Sequence, residues 1–356
     1  MLLEGLHIPL TTPFHPDGRL NTPKLVANAA RYSKTPAAGL IVLGPSGEPT
    51  MLSDDETRDT LRTVAKAAAP EKLLLAGIER GSVRSTLALA DFAAEQRYDA
   101  VLIGVPSILD QNDGPPTQRQ RETLLHFQAI ADRSPLPMVL LSSLGRGIPT
   151  DTVVELATHP NIIGLLDAGA RETRSREIEA ILQRTTPVQR EVTVTPTFSA
   201  VTSRMLAASA GQPNASLLSA VALKATATAI AEPPSASSPL RTRTKSIGFQ
   251  IIAGRSSAIL DGLRSGASAV APAFAACAPQ ACYEVFAAWK DDDQPLAEEK
   301  QQRFNAAAHL AEAFGPGGLK FACDLNGYFG GRPRLPLLPP SAAERADLEH
   351  LMKGLL

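Results

Sequence analysis

Eight short apolar runs, seven of them followed by a segment of helical spacing, constrain this chain more than any other feature. They fall at 6–13, 39–43, 73–77, 100–105, 138–141, 162–166, 248–254 and 269–271. Runs this short and this apolar suit strands buried on both faces. The stretches at 21–33, 53–69, 82–95, 117–132, 149–158, 174–183 and 258–265 carry apolar residues at helical intervals. Alternation of that kind makes a parallel sheet covered by helices, and eight units is the number that closes a barrel. The expected fold class is therefore α/β, a (β/α)8 TIM barrel with its ligand site at the carboxyl ends of the strands.

The rhythm breaks once. From 187 to 244 the chain is rich in Ala, Ser, Thr and Pro, with a strand-like Val192-Thr193-Val194, a helical 216–230 and a loop at 232–239. That composition reads as a surface insertion after helix 6. Beyond Trp289, helical segments at 298–314, 319–326 and 341–356 form a C-terminal extension. The expected organisation is a barrel over 1–290, interrupted by 187–244, and a helical extension over 291–356.

Composition narrows the class. In 356 residues, 44% hydrophobic, there is enough apolar material for a large core. A net charge of −1 gives no general attraction to nucleic acid or to a membrane surface. Cys277, Cys282 and Cys323 have no CxxC spacing, which suits a reducing cytoplasm and makes neither a zinc site nor a disulfide framework. Glu4 follows Met1-Leu2-Leu3 directly, so no signal peptide is expected, and no apolar run is long enough for a membrane span. The six histidines lack any metal-binding spacing, and neither a metal nor a cofactor is expected. Gly315-Pro316-Gly317-Gly318 lacks the Lys-Ser/Thr of a phosphate loop and reads as a connector between helices.

The most informative loop is Gly44-Pro45-Ser46-Gly47-Glu48, between the second run and a helix opened by Ser53…Glu56 at capping-box spacing. A second such spacing, Thr117…Gln120, is expected to open the helix at 117–132, and a third, Ser341…Glu344, the last one. A Gly/Ser-rich βα loop offers N–H groups and a hydroxyl to an anion; the alternative is a plain turn.

Thr11-Thr12-Pro13-Phe14 with Asp17-Gly18, Gly44-x-Ser46-Gly47-Glu48 with Leu52-Ser53 and Glu56, Ala76-Gly77, Pro106, Arg146, Ile163-Gly164, Gly254, Gly266-Ala267 and Arg332-x-Arg334-x-Pro336 together resemble the dihydrodipicolinate synthase / N-acetylneuraminate lyase family of class I aldolase barrels. The resemblance implies a lyase on a small oxo acid or sugar acid and assembly into homodimers or homotetramers. It implies a Schiff base on a strand-6 lysine and a strand-5 tyrosine that shuttles protons. Here the lysine position is Leu166 and the tyrosine position Leu141. The tyrosine after strand 4 falls on Ser107 or Ile108, and a loop threonine on Pro45. Leucine cannot form an imine, so the catalytic residues are left open.

The resemblance keeps anion handling: Ser46 and the N–H groups of Gly47 and Glu48 for a substrate carboxylate, and Arg146 for a second one. Arg80 and Arg255 follow strands 3 and 7 and are expected at the same rim; alternatively the arginines pair with Glu48, Glu79 or Asp167 at a solvated surface. Leu141, Leu166 and Ile108 should give the pocket an apolar floor. Lys224 in the insertion is the lysine that could reach the mouth, Lys72 and Lys245 lie at the closed end, and Lys320 is structural. Two functions stay open: a lyase that works without the lysine, or a non-catalytic carboxylate-binding or regulatory relative.

Overall fold

A computed structural model of the chain describes residues 1–110, 115–143, 147–169, 174–210 and 240–355. Eight parallel strands close a barrel: β1 (Gly5–Pro9), β2 (Gly39–Val42), β3 (Leu73–Gly77), β4 (Ala100–Gly104), β5 (Met138–Ser142) and β6 (Ile162–Asp167), then β9 (Gln250–Ala253) and β10 (Ala269–Val270). Between β6 and β9, a two-stranded antiparallel sheet of β7 (Arg190–Val194) and β8 (Arg243–Ile247) stands outside the barrel. The eight runs are the eight barrel strands. The first stops at Pro9, and residues 10–13 leave the sheet as a loop.

Side chains alternate across each strand. One set, including Leu75, Leu102, Val139, Leu141, Leu166 and Ile252, fills the barrel interior. The other, including Ile8, Leu40, Leu74, Ile103, Leu140 and Leu165, packs outward against the helices. Both faces are dry, which is why the strands read as unbroken apolar runs.

Seven helices follow the expected order, Thr22–Ser33, Asp54–Ala67, Val83–Glu95, Pro116–Ala131, Thr150–Ala157, Arg174–Thr185 and Ile259–Arg264, and an eighth, Pro279–Lys290, follows β10 where the sequence reading marked none. Ser53 caps the second, with both halves of the box formed by Glu56, and Ser341 with Glu344 caps Ala342–Met352 in the same way. Thr117…Gln120 does not make a box. Pro115 is the N-cap and Pro116 opens the helix, because a fixed φ and a missing N–H suit the first turn. Gly315–Gly318 is not a connector but the first turn of Gly315–Leu325. A Cβ on Gly317 would fall 2.6 Å from the Leu338 carbonyl oxygen, so close packing explains the glycine there.

The insertion begins as a cover for the amino-terminal end of the barrel. Arg190 donates to the carbonyls of Ala157, His159 and Ile162 at 2.8–2.9 Å. Leu2 packs with Val192 and Val194. Asp99 accepts from the Ser203 and Leu74 amides, which docks the helix Ser203–Ala210. The expected helix at 216–230, the loop at 232–239 and Lys224 lie outside the described residues.

Cys277 and Cys323 are fully buried with sulfurs 3.8 Å apart, and burial pushes the Cys277 thiol up, as befits a packing role. Lys72 donates to the Thr35 and Ala37 carbonyls at the closed end of the barrel.

Candidate active site at the barrel mouth

The loop after β2 is built from two short turns, Pro45–Gly47 and Pro49–Met51. Leu43 (φ 59) and Glu48 (φ 52) flank the first of them in left-handed backbone. Non-glycine residues hold such angles at a cost of about 1–3 kcal/mol each, and only where the surroundings fix them. Gly77 is part of that surround, since a Cβ there would collide with the Leu43 carbonyl. Thr12 Oγ1 donates to the Gly47 carbonyl at 2.7 Å and pins the loop to the chain after β1. Gly47 N–H donates to the Gly44 carbonyl at 2.8 Å, so it closes the turn rather than pointing to a ligand.

Glu48 is the loop's anchor. Its carboxylate lies 2.5 Å from Lys320 Nζ, with neither side chain exposed, and it accepts from the Arg334 amide at 2.9 Å. Lys320 also donates to the Arg332 carbonyl and sits 4.3 Å from the centre of the Phe14 ring. Burial pulls the Lys320 ammonium below its ordinary range, and Glu48 opposes that pull. Arg334 grips Glu56 through both oxygens at 2.6 and 2.7 Å, and this pair brings the Glu56 carboxyl down to about 2. The C-terminal extension thereby clamps the loop and the start of the following helix. Lys320 is structural, as expected, and the Arg332-x-Arg334 segment shares its task.

A cavity of about 300 Å³ opens inside the mouth, bounded by Gly44, Pro45, Glu48, Glu79, Leu102, Leu141 and Ser143, with Pro316 and Leu337 of the extension over it. Leu141 pairs in register with Leu166, and Leu166 with Ile252, so the lysine and tyrosine positions of the resemblance stand side by side in one alkyl ring. Leu141 is 7% and Leu166 5% exposed. Ile108 is 65% exposed on the outer turn Ser107–Asp110 and adds nothing to the cavity floor, because that turn carries it away from the barrel axis.

The loop residues Ser46, Gly47 and Glu48 are brought together, although Ser46 is buried beneath the turn and does not line the cavity. Arg80 is not brought to them. It donates to the Thr57 hydroxyl at 2.9 Å and lies 3.5 Å from Asp54, because the acidic first turn of the Asp54–Ala67 helix draws it outward. Arg255 lines a different cavity of about 270 Å³, between the helices Arg174–Thr185 and Ile259–Arg264. Arg146 lies outside the described residues.

Two features escaped a sequence reading that offered Asp167 and Glu79 only as partners for rim arginines. Asp167 faces outward and binds Arg174 Nε at 2.6 Å, with Glu177 and Ser142 completing the group. Burial raises the Asp167 carboxyl while Arg174 opposes the rise. The other is Glu79, which sequence reading offers only as a neutraliser of arginines and which lines the mouth cavity. A carboxylate two residues beyond a strand-ending glycine was the available signal. Among the described residues, no group of three or more His, Cys, Asp or Glu is placed to hold a metal ion, and no helix is long and apolar enough to cross a membrane.

The sequence profile of the dihydrodipicolinate synthetase family matches residues 2–201. This chain belongs to that family. A 4-hydroxy-tetrahydrodipicolinate synthase of Acidiphilium cryptum is 26% identical over 99% of both chains. One from Mycolicibacterium paratuberculosis is 34% identical over 45% of this chain, and that alignment spans about half (52%) of the relative. Among solved structures, dihydrodipicolinate synthase DapA-2 of Bacillus anthracis superposes with a TM-score of 0.74 at 20% identity, covering 99% of this chain and 98% of the other. N-acetylneuraminate lyase of Mycoplasma synoviae gives 0.71 at 18%, covering 99% and 98%. Membership makes the chain a relative of aldolase-type lyases, with the barrel and the C-terminal helices they share.

Proposed function

We propose that this chain is a lyase- or aldolase-type enzyme acting on a small oxo acid or sugar acid without a strand-6 Schiff-base lysine. The observation that carries the reading is the cavity at the carboxyl ends of the strands, floored by Leu141 and Leu102 and rimmed by the Gly44–Glu48 loop, with Leu166 behind its floor as the register partner of Leu141. An ionised group against that alkyl ring loses hydration at a cost of several kcal/mol. A bound acid therefore keeps its carboxylate at the rim, near the loop and Arg146, and turns its apolar part inward. Chemistry then runs through an enolate held by positioned donors instead of an imine. The names of the relatives support the substrate class: they include a synthase and a lyase, and a further similar structure, from Acinetobacter baumannii, is described as complexed with pyruvate. Assembly as a homodimer or homotetramer belongs to the same proposal and is read by sedimentation.

The test is borohydride reduction in the presence of pyruvate, followed by mass spectrometry, alongside a screen of oxo acids for turnover. The expected result is turnover with no reduced adduct. An adduct on any lysine overturns the lysine-free route. No adduct and no turnover selects the non-catalytic carboxylate binder.

A further inference from the structure

Glu79 stands two residues beyond the end of β3 at Gly77, after the fully buried Ile78, and its side chain lines the mouth cavity. The neighbouring strand makes room for it. A Cβ on Gly104, the last residue of β4, would fall 2.5 Å from Glu79 Oε2 and 3.6 Å from Leu141 Cδ2. The carboxylate and the tip of Leu141 thus share the space above one glycine. Leu141 is the register partner of Leu166. So the chain that carries no amine in this ring carries a carboxylate at its upper edge. Glu48, the cavity's other carboxylate among the described residues, has a fully buried side chain tied to Lys320 and the Arg334 amide of the C-terminal extension, where it anchors the loop.

We propose that Glu79 is the proton-transferring residue of the mouth, acting on C3 of a bound 2-oxo acid. The inference rests on the oxo-acid reading above. The Glu79 carboxylate takes a proton from C3. The electrons of that C–H bond form the C2–C3 double bond, and the C2 carbonyl pair moves onto oxygen to give the enolate. The reverse step returns the proton from the Glu79 carboxylic acid to C3. In the lyase direction the Glu79 carboxylate takes the proton of the C4 hydroxyl, and the electrons of that O–H bond form the C4 carbonyl. The C3–C4 bond breaks with its pair forming the C2–C3 double bond and the C2 carbonyl pair moving onto oxygen, and Glu79 then gives the same proton to C3. No oxidant, reductant or further reactant is needed. A positioned acid–base group of this kind contributes roughly 10²–10⁴-fold.

The measurement is loss of the pyruvate methyl signal by proton NMR in deuterium oxide, with pyruvate binding followed in parallel by calorimetry. Wild-type protein is expected to bind pyruvate and to exchange its C3 protons above the buffer rate. Glu79→Gln should lower the enzymatic exchange about 100-fold or more, with binding and thermal midpoint retained. Gly104→Ala gives a second reading: its Cβ meets only the far end of a flexible side chain at close range, so it should displace the carboxylate and slow exchange while Glu79 is still present. Exchange at the wild-type rate in Glu79→Gln overturns the assignment, as does wild-type protein that binds pyruvate without exchanging it. Absence of pyruvate binding in the wild type overturns the oxo-acid reading itself, and the assignment with it.

Discussion

Removing either half of the Glu48–Lys320 pair should reveal how firmly the extension holds the mouth. Both side chains are fully buried, 2.5 Å apart. Taking away one partner of such a pair leaves an uncompensated buried charge, typically at a cost of about 3–5 kcal/mol. In Glu48→Gln the stranded ammonium keeps the Arg332 carbonyl at 3.1 Å and the Phe14 ring at 4.3 Å. Those contacts put the expected loss near the lower end, about 3 kcal/mol. Lys320→Met strands Glu48 with the Arg334 amide as its remaining donor and should cost about the same. Glu48→Gln with Lys320→Met strands no charge, so the double variant should lose less than the sum of the singles by about 2 kcal/mol or more. Urea unfolding of the four proteins measures the cycle. Single losses below about 1 kcal/mol, or an additive double variant, would refute the clamp.

Leu166→Lys should place an amine between Leu141 and Ile252, where burial depresses its pKa; mass spectrometry should show a borohydride-reducible pyruvate adduct, with little synthase turnover because Leu141 supplies no hydroxyl. Arg146→Ala should weaken carboxylate binding by about 1.5–3 kcal/mol in calorimetry and leave the thermal midpoint nearly unchanged; unfolding with affinity intact would make Arg146 structural. Glu56, held at about 2 by Arg334, contributes stability that is fully present above its ordinary value near 4.5 and is lost as pH falls toward 2. Since the pair is partly solvated, at 28% and 18% side-chain exposure, that contribution is about 1 kcal/mol, and Arg334→Met should remove the corresponding acid sensitivity of the urea midpoint between pH 5 and about 2.

The barrel was legible because its strands are dry on both faces, which writes an unbroken apolar run at each of them. The two-stranded sheet outside the barrel was half legible. Val192 and Val194 are buried and announce a strand, whereas Arg243-Thr244-Lys245-Ser246-Ile247 is a solvated edge with no apolar signal. Capping boxes at Ser53 and Ser341 followed from spacing, but the same spacing at Thr117 lost to Pro115-Pro116, whose fixed φ sets the helix start one residue earlier. The loop Gly44–Glu48 was legible as a unit. Its hydrogen bonding was not, since closure of the turn by Gly47 and the grip of Lys320 on Glu48 join segments far apart in sequence. Arg80 was expected at the rim because it follows a strand. Its direction is decided by Asp54 and Thr57 on another unit. The sequence just past β3 marks Glu79 as a carboxylate near the mouth, but the room for it above Gly104 is a dependence between neighbouring strands that this local signal does not carry.

A crystal structure of the protein soaked with pyruvate tests the central claim most directly, because it reports both where an oxo acid sits and whether it is bonded to the chain. The account predicts an unbonded pyruvate in the mouth cavity, its carboxylate toward the Gly44–Glu48 loop and its methyl group over Leu141 and Leu166, within reach of Glu79. Continuous density from pyruvate C2 to any lysine Nζ, or pyruvate bound in the cavity beside Arg255 with the mouth unoccupied, would contradict it.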